Sequence, residues 1–135
     1  MSQSGPGGIA AKDNPGALVF LVDDELMVGE VVVAILKLGG HQIRWFQDPI
    51  KALEGFRDSD PKPDLLLTDY KMPQMTGREL IQRCKEAHPA LKTILYSGDV
   101  QEDTAALYKA KPDRLLRKPF VPNTLLDLVK QVLAE

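Results

Sequence analysis

Two hydrophobic rhythms alternate along this chain, and each change of rhythm marks a change of element. Leu18–Val22 is an unbroken apolar run, and Leu65–Thr68 is nearly one, as expected for strands covered on both faces. Thr93–Tyr96 and Arg114–Arg117 read as two further strands. His41–Phe46 alternates between apolar and polar residues, which predicts a strand nearer a sheet edge. Between these runs the spacing becomes helical. Met27, Val28, Val31, Val32, Ile35 and Leu36 form one stripe that Gly39-Gly40 terminates. Asp48-Pro49 reads as an N-cap and first-turn proline opening a helix to about Arg57. Helices are also predicted from Gly77 to about His88, from Asp99 to about Lys111, where Pro112 blocks continuation, and from Val121 to Leu133. The last carries Leu125, Leu126, Leu128, Val129, Val132 and Leu133 along one stripe. Five β-then-α repeats with short connections require crossover helices, and so predict an α/β domain with a five-stranded parallel sheet covered on both faces.

That topology gives meaning to residues far apart in sequence. In an open parallel sheet the carboxyl ends of the strands face one crevice, where ligands bind. Asp23 and Asp24 follow the first strand, Asp69 the third, Ser97-Gly98 the fourth and Lys118 the fifth. Three carboxylates in one crevice repel, by about 4 kcal/mol for a pair about 4 Å apart at an effective dielectric near 20. A Mg²⁺ ion removes that cost and binds through carboxylates, phosphate oxygens and water. Asp69, alone at its strand end, then reads as a nucleophile able to form an acyl phosphate. Ser97, Lys118 and the backbone N–H groups of the Gly98 turn would stabilise the transferred group.

Composition bounds the function. The chain has 135 residues, enough for one ordinary domain, with 44% hydrophobic and 27% charged residues, the balance of a soluble globular protein. A formal net charge of −2 gives no long-range attraction to nucleic acid, so direct binding there is not expected. No apolar run approaches the roughly 18 residues of a membrane span, and no leader resembles a secretion signal, which points to the cytoplasm. The single Cys84 cannot form an internal disulfide and reads as an inert buried thiol. Residues 1–16, rich in Gly, Ser and Pro, read as a flexible leader, leaving 17–135 as the domain.

The runs Leu-Val-Asp23-Asp24-Glu, Thr68-Asp69-Tyr-Lys-Met-Pro73 with Gly77, Tyr96-Ser97-Gly98 and Lys118-Pro119-Phe120 resemble the receiver domain of two-component response regulators. Each motif alone is weak; all four in order, at consecutive strand ends, are specific. The resemblance covers about residues 17–135 and implies a doubly wound, flavodoxin-like (βα)5 fold. It implies that Asp69 is the phosphoacceptor and that Mg²⁺ is held by Asp23, Asp24, Asp69 and the backbone carbonyl of Lys71. Ser97 would move to meet the phosphoryl group, Lys118 would pair with its oxygen, and the Lys118–Pro119 bond would be cis. The implied partners are a histidine kinase or histidine phosphotransfer protein, and a downstream protein target or fused output domain. Such a domain catalyses only its own phosphorylation and dephosphorylation, and the family's usual readout face corresponds to about residues 99–134.

Taken singly, each residue has a plainer reading. Asp24 could cap the first helix, Asp69 a turn; Ser97-Gly98 could be an ordinary loop and Lys118 a solvated lysine. Trp45, His41 and His88 read as structural or surface residues, and Met72-Pro73 and Gly77 as loop-shaping. Two other functions share the residues: a Mg²⁺-dependent phosphatase with an aspartate nucleophile, and a pseudo-receiver used only for docking. Three positions depart from or refine the resemblance. Leu115 stands where relatives often carry Tyr or Phe that turns inward, so little rearrangement is predicted there, with communication through the Ser97–Asp103 loop instead. Lys71 and Asp99 are predicted to approach across the mouth of the site and tune the lifetime of the aspartyl phosphate, against the plainer reading of two solvated charges.

Overall fold

The computed structural model describes residues 16–98 and 111–135. The predicted leader, apart from Gly16, lies outside them, as does the helix predicted over 99–111 apart from its last residue. The described strands are β1 (Leu18–Val22), β2 (Gln42–Phe46), β3 (Leu65–Asp69), β4 (Lys92–Ser97) and β5 (Arg114–Arg117). The described helices are α1 (Leu26–Leu38), α2 (Pro49–Asp58), α3 (Gly77–Ala87) and α4 (Pro122–Ala134). All four strand pairings are parallel, in the order β2-β1-β3-β4-β5. The chain leaves β1 toward β2 and then crosses to β3 on the other side. The strand order therefore reverses between β1 and β3, where a crevice opens beyond their carboxyl ends.

The unbroken apolar strands follow from cover on both faces. Val19 and Leu21 of β1 join Leu65, Leu67, Ile94 and Tyr96 against α1 and α4. Phe20 and Val22 join Leu66, Leu95, Phe56 and Leu80 against α2 and α3. As the alternation in its sequence predicts, β2 is an edge strand, and its residues are only partly buried or exposed. Cys84 sits in the α2/α3 core, and burial pushes its thiol up to about 12.

Local chemistry sets the helix limits. Asp48 accepts a hydrogen bond from the backbone N–H of Ile50 at 2.8 Å with Pro49 in the first turn, and Thr76 caps α3 through Glu79 N–H at 3.2 Å. Gly39 closes α1, and Gly40 turns the chain away with φ +83°, a conformation that glycine adopts without steric cost. The α1 stripe differs from its predicted role. Val32, Ile35 and Leu36 are buried, but Met27 and Val31 are 80% and 58% exposed. They lie one turn apart at the border of the stripe, beyond the reach of the sheet, and line an apolar groove with Pro119 and Phe120. Among the described residues, no helix is long and apolar enough to cross a membrane.

Candidate phosphoacceptor site

The carboxyl ends of β1, β3, β4 and β5 deliver the predicted residues to one place. Carboxylate oxygens of Asp23, Asp24 and Asp69 lie within 4.8 Å of one another. Asp24, Asp69, Lys71, Ser97, Gly98 and Lys118 line an open crevice of about 350 Å³, together with Glu25. Asp23 is fully buried beneath it, Asp69 nearly so, and Asp24 is exposed at the rim. Asp24 does not cap α1: the N-cap position is Glu25, and no side chain makes the capping hydrogen bond. Asp23, Asp24 and Asp69 together form the oxygen-rich donor set that suits a hard divalent cation.

Lys118 supplies the opposing charge. Its Nζ lies 3.1 Å from Asp69 Oδ1 and 3.9 Å from Glu25 Oε1, and its backbone N–H donates to the Ser97 carbonyl at 2.9 Å. That bond ties the end of β5 to the end of β4 and so fixes the lysine above Asp69. The Lys118–Pro119 peptide is cis, as the resemblance implies. Asp69 Oδ1 also accepts the Tyr70 backbone N–H at 2.9 Å. Burial nevertheless pushes the Asp69 carboxyl up to about 6; Lys118 opposes that rise and the Asp23 charge adds to it.

The loop after Asp69 is anchored from below. Met72 and Met75 insert into the α2/α3 core, and Gly77 N–H donates to the Tyr70 carbonyl at 2.8 Å. A Cβ at Gly77 would sit 2.2 Å from the Asp69 carbonyl oxygen, so the helix start and the strand end touch with no space for a side chain. Gly98 is the reverse case, because a Cβ there meets none of the described residues within 4 Å.

Sequence reasoning passed over Tyr96. Its ring is fully buried and its hydroxyl donates to Asp23 Oδ2 at 2.5 Å. Burial and the Asp23 charge raise the phenol far above its ordinary range, so it stays a donor. A tyrosine among aliphatic residues at a carboxyl-end position was the available signal, since a buried hydroxyl needs a partner. Trp45 serves the same loop, donating from Nε1 to the Asp23 main-chain carbonyl at 3.0 Å. The histidines lie elsewhere. His41 accepts the Ala17 N–H at 3.0 Å, and His88 closes α3. Lys71 is exposed at the crevice; its predicted partner Asp99 and the loop to Asp103 lie outside the described residues.

Leu115 is 54% exposed while its neighbour Leu116 is 7% exposed, so the two face opposite ways on β5. Leu115→Ala is expected to change unfolding free energy by less than about 0.5 kcal/mol. Leu116→Ala is expected to lose roughly 2–4 kcal/mol. Chemical denaturation of the two variants checks the contrast, and a loss at Leu115 as large as at Leu116 would contradict it.

Comparisons with known proteins identify the family and the fold. The family model for the response regulator receiver domain matches residues 19–130. The transcriptional regulator NtrC of Escherichia coli (strain K12) is 29% identical over 118 residues, covering 87% of this chain and 25% of NtrC. The two-component response regulator ORR11 of Oryza sativa subsp. japonica is 30% identical, covering 85% of this chain and 80% of ORR11. The chain thus spans about a quarter of the length of the bacterial regulator and most of the plant one. A CheY-like receiver domain from Methanospirillum hungatei JF-1 superposes with a TM-score of 0.79 at 25% identity, covering 88% of this chain and 94% of that one. The match across nearly all of the sheet and helices, with the acidic crevice at its carboxyl end, makes this chain a member of the response regulator receiver domain family.

Proposed function

We propose that Asp69 accepts a phosphoryl group from a phosphohistidine of a histidine kinase or histidine phosphotransfer protein. The observation that carries this reading is Asp69 itself, open to the crevice, with Lys118 Nζ at 3.1 Å and two further carboxylates within 4.8 Å. A carboxylate oxygen of Asp69 attacks phosphorus, the P–N bond breaks, and the leaving imidazole takes up a proton, which forms an acyl phosphate. Lys118, held by its backbone bond to Ser97, turns from the Asp69 oxygen to the new phosphoryl oxygen. The Ser97 hydroxyl, at the end of the adjacent strand, donates to the same group. Hydrolysis by water returns the free carboxylate, so the chain assists only its own modification.

Asp23, Asp24, Asp69 and the backbone carbonyl of Lys71 would hold Mg²⁺, which neutralises the carboxylates and the charge on the phosphoryl oxygens. An apolar groove of about 390 Å³ runs beside Lys118 and is lined by Met27, Val31, Ile35, Pro119 and Phe120. Its position next to the crevice supports a protein as donor, since a small phosphate compound has no use for apolar surface there. The added charge, roughly −1.5 to −2 for the better-known phosphorylated hydroxyl residues, biases a conformational equilibrium read by a downstream target or fused output domain. The cytoplasm is the compartment that suits this chemistry. The presence of Asp24, Asp69, Ser97 and Lys118 around one crevice supports phosphate acceptance over docking alone.

Intact-protein mass after incubation with acetyl phosphate or phosphoramidate tests the reading. The expected result is a gain of one phosphoryl group with Mg²⁺ and none with EDTA. Failure of both donors and of a phosphorylated histidine phosphotransfer protein, all in the presence of Mg²⁺, would overturn it.

A further inference from the structure

Asp23 is fully buried, yet its carboxylate is held from two sides. The backbone N–H of Glu25 donates to Oδ1 at 2.9 Å, and the Tyr96 hydroxyl donates to Oδ2 at 2.5 Å. The same tyrosine faces the cation of the site. Lys118 Nζ lies 5.0 Å from the ring centroid, in range for attraction to its π face. Phe120 packs edge-on against the ring at 5.9 Å between centroids. Tyr96 is also the register partner of Asp69, and its backbone carbonyl accepts the Tyr70 N–H at 3.0 Å. One residue therefore touches Asp23, the lysine paired with Asp69, and the backbone that carries Asp69.

Core packing does not explain the hydroxyl. Phenylalanine would fill nearly the same volume against Leu116, Leu125 and Val129. The oxygen adds a directed donor to a buried carboxylate, in an interior where a hydrogen bond is stronger than in water. Without it, Asp23 would keep the Glu25 N–H but lose the contact that stops the carboxylate turning about its Cβ–Cγ bond.

We propose that Tyr96 is a positioning residue for the metal carboxylates, its hydroxyl fixing Asp23 so that it faces the same point as Asp24 and Asp69. The proposal rests on the reading that these carboxylates hold Mg²⁺. Partners that orient a metal ligand in this way typically contribute 10- to 100-fold in affinity.

Calorimetric titration of the metal-free chain with Mg²⁺ alone provides the test, with Tyr96→Phe and Phe120→Leu beside the wild type, all well below their unfolding temperatures. Phe120→Leu loosens the packing of the ring and leaves the hydroxyl. Tyr96→Phe is expected to raise the Kd by about tenfold or more, while Phe120→Leu stays within about twofold of wild type. Wild-type affinity in Tyr96→Phe would overturn the positioning role and leave the Mg²⁺ reading standing. Equal losses in the two variants would assign the effect to packing and also overturn it. A wild type that binds no Mg²⁺ would remove the reading beneath, and the proposal with it.

Discussion

Asp69→Asn is expected to take up no phosphoryl group from any donor and, in the absence of divalent metal, to be more stable than the wild type above pH 6. Loss of the nucleophile explains the first half: an amide oxygen cannot form the acyl phosphate, and asparagine keeps the shape of the side chain. The second half follows from charge. Burial pushes the Asp69 carboxyl from 3.8 up to about 6, so the folded protein favours the acid form more than the unfolded chain does. Above pH 6 both states carry the charge, and the folded state bears the full cost of holding it. As pH falls through 6 toward 4, the folded state takes up a proton that the unfolded state does not, and wild-type stability rises relative to the variant. Asparagine is neutral throughout. The gap should be widest above pH 6, roughly 1–2 kcal/mol once solvent access through the crevice is allowed for, and should close by about pH 4. Millimolar Mg²⁺ should reverse it, because an ion that binds only the folded wild type stabilises it by mass action. Unfolding curves at several pH values, with EDTA or Mg²⁺, check the prediction. A metal-free variant that is less stable than wild type by the same amount at every pH would contradict it.

The second large effect is expected at a residue with no chemistry of its own. Gly77→Ala would place a methyl group 2.2 Å from the Asp69 carbonyl oxygen and 2.7 Å from a Leu95 methyl. The leucine can turn aside, but the carbonyl belongs to the strand end that also accepts the Thr68 hydroxyl at 2.9 Å. Either α3 moves outward, pulling the capped Thr76 turn and the Met75 anchor with it, or Asp69 is displaced. Overpacking of this kind costs roughly 1–3 kcal/mol, and a displacement near 1 Å at a reacting group can cost about 100-fold in rate. The variant should therefore lose both stability and phosphoryl uptake, measured by denaturation and by intact mass over time. Gly98→Ala, with none of the described residues within 4 Å of the new methyl, should stay within about 0.5 kcal/mol of wild type. Equal behaviour of the two variants would remove the steric argument.

The core strands, the Asp48 cap and the converging aspartates were legible because each has a local cause. Leu18–Val22 reads as doubly covered from composition alone, and Asp48-Pro49 carries its own cap chemistry. Asp23, Asp24, Asp69, Ser97 and Lys118 could be brought together because a parallel sheet sends every strand end to one side. What stayed hidden depends on pairs that no periodicity links. Tyr96 reaches Asp23 across 73 positions of sequence. Met27 and Val31 carry the period of a core stripe but fall where no described element covers them. Arg78, at the start of α3, is only 2% exposed, and no spacing in the sequence marks it as buried. The steric role of Gly77 required the place of the Asp69 carbonyl, which the spacing of the motif does not give.

The division of the interior by the sheet gives each face its own built-in probe. Cys84 is buried on the α2/α3 side, and Trp45 packs against Gly29 of α1 on the other. Each is the only residue of its kind in the chain. A thiol reagent can reach Cys84 only when its side opens, so the alkylation rate clocks that opening, while tryptophan emission follows the opposite layer. If the two layers separate from the sheet at different free energies, thiol trapping and fluorescence will diverge under mild denaturant. If the sheet binds them into one cooperative unit, the two signals will coincide, and a disturbance beside Asp69 will be felt on both faces at once.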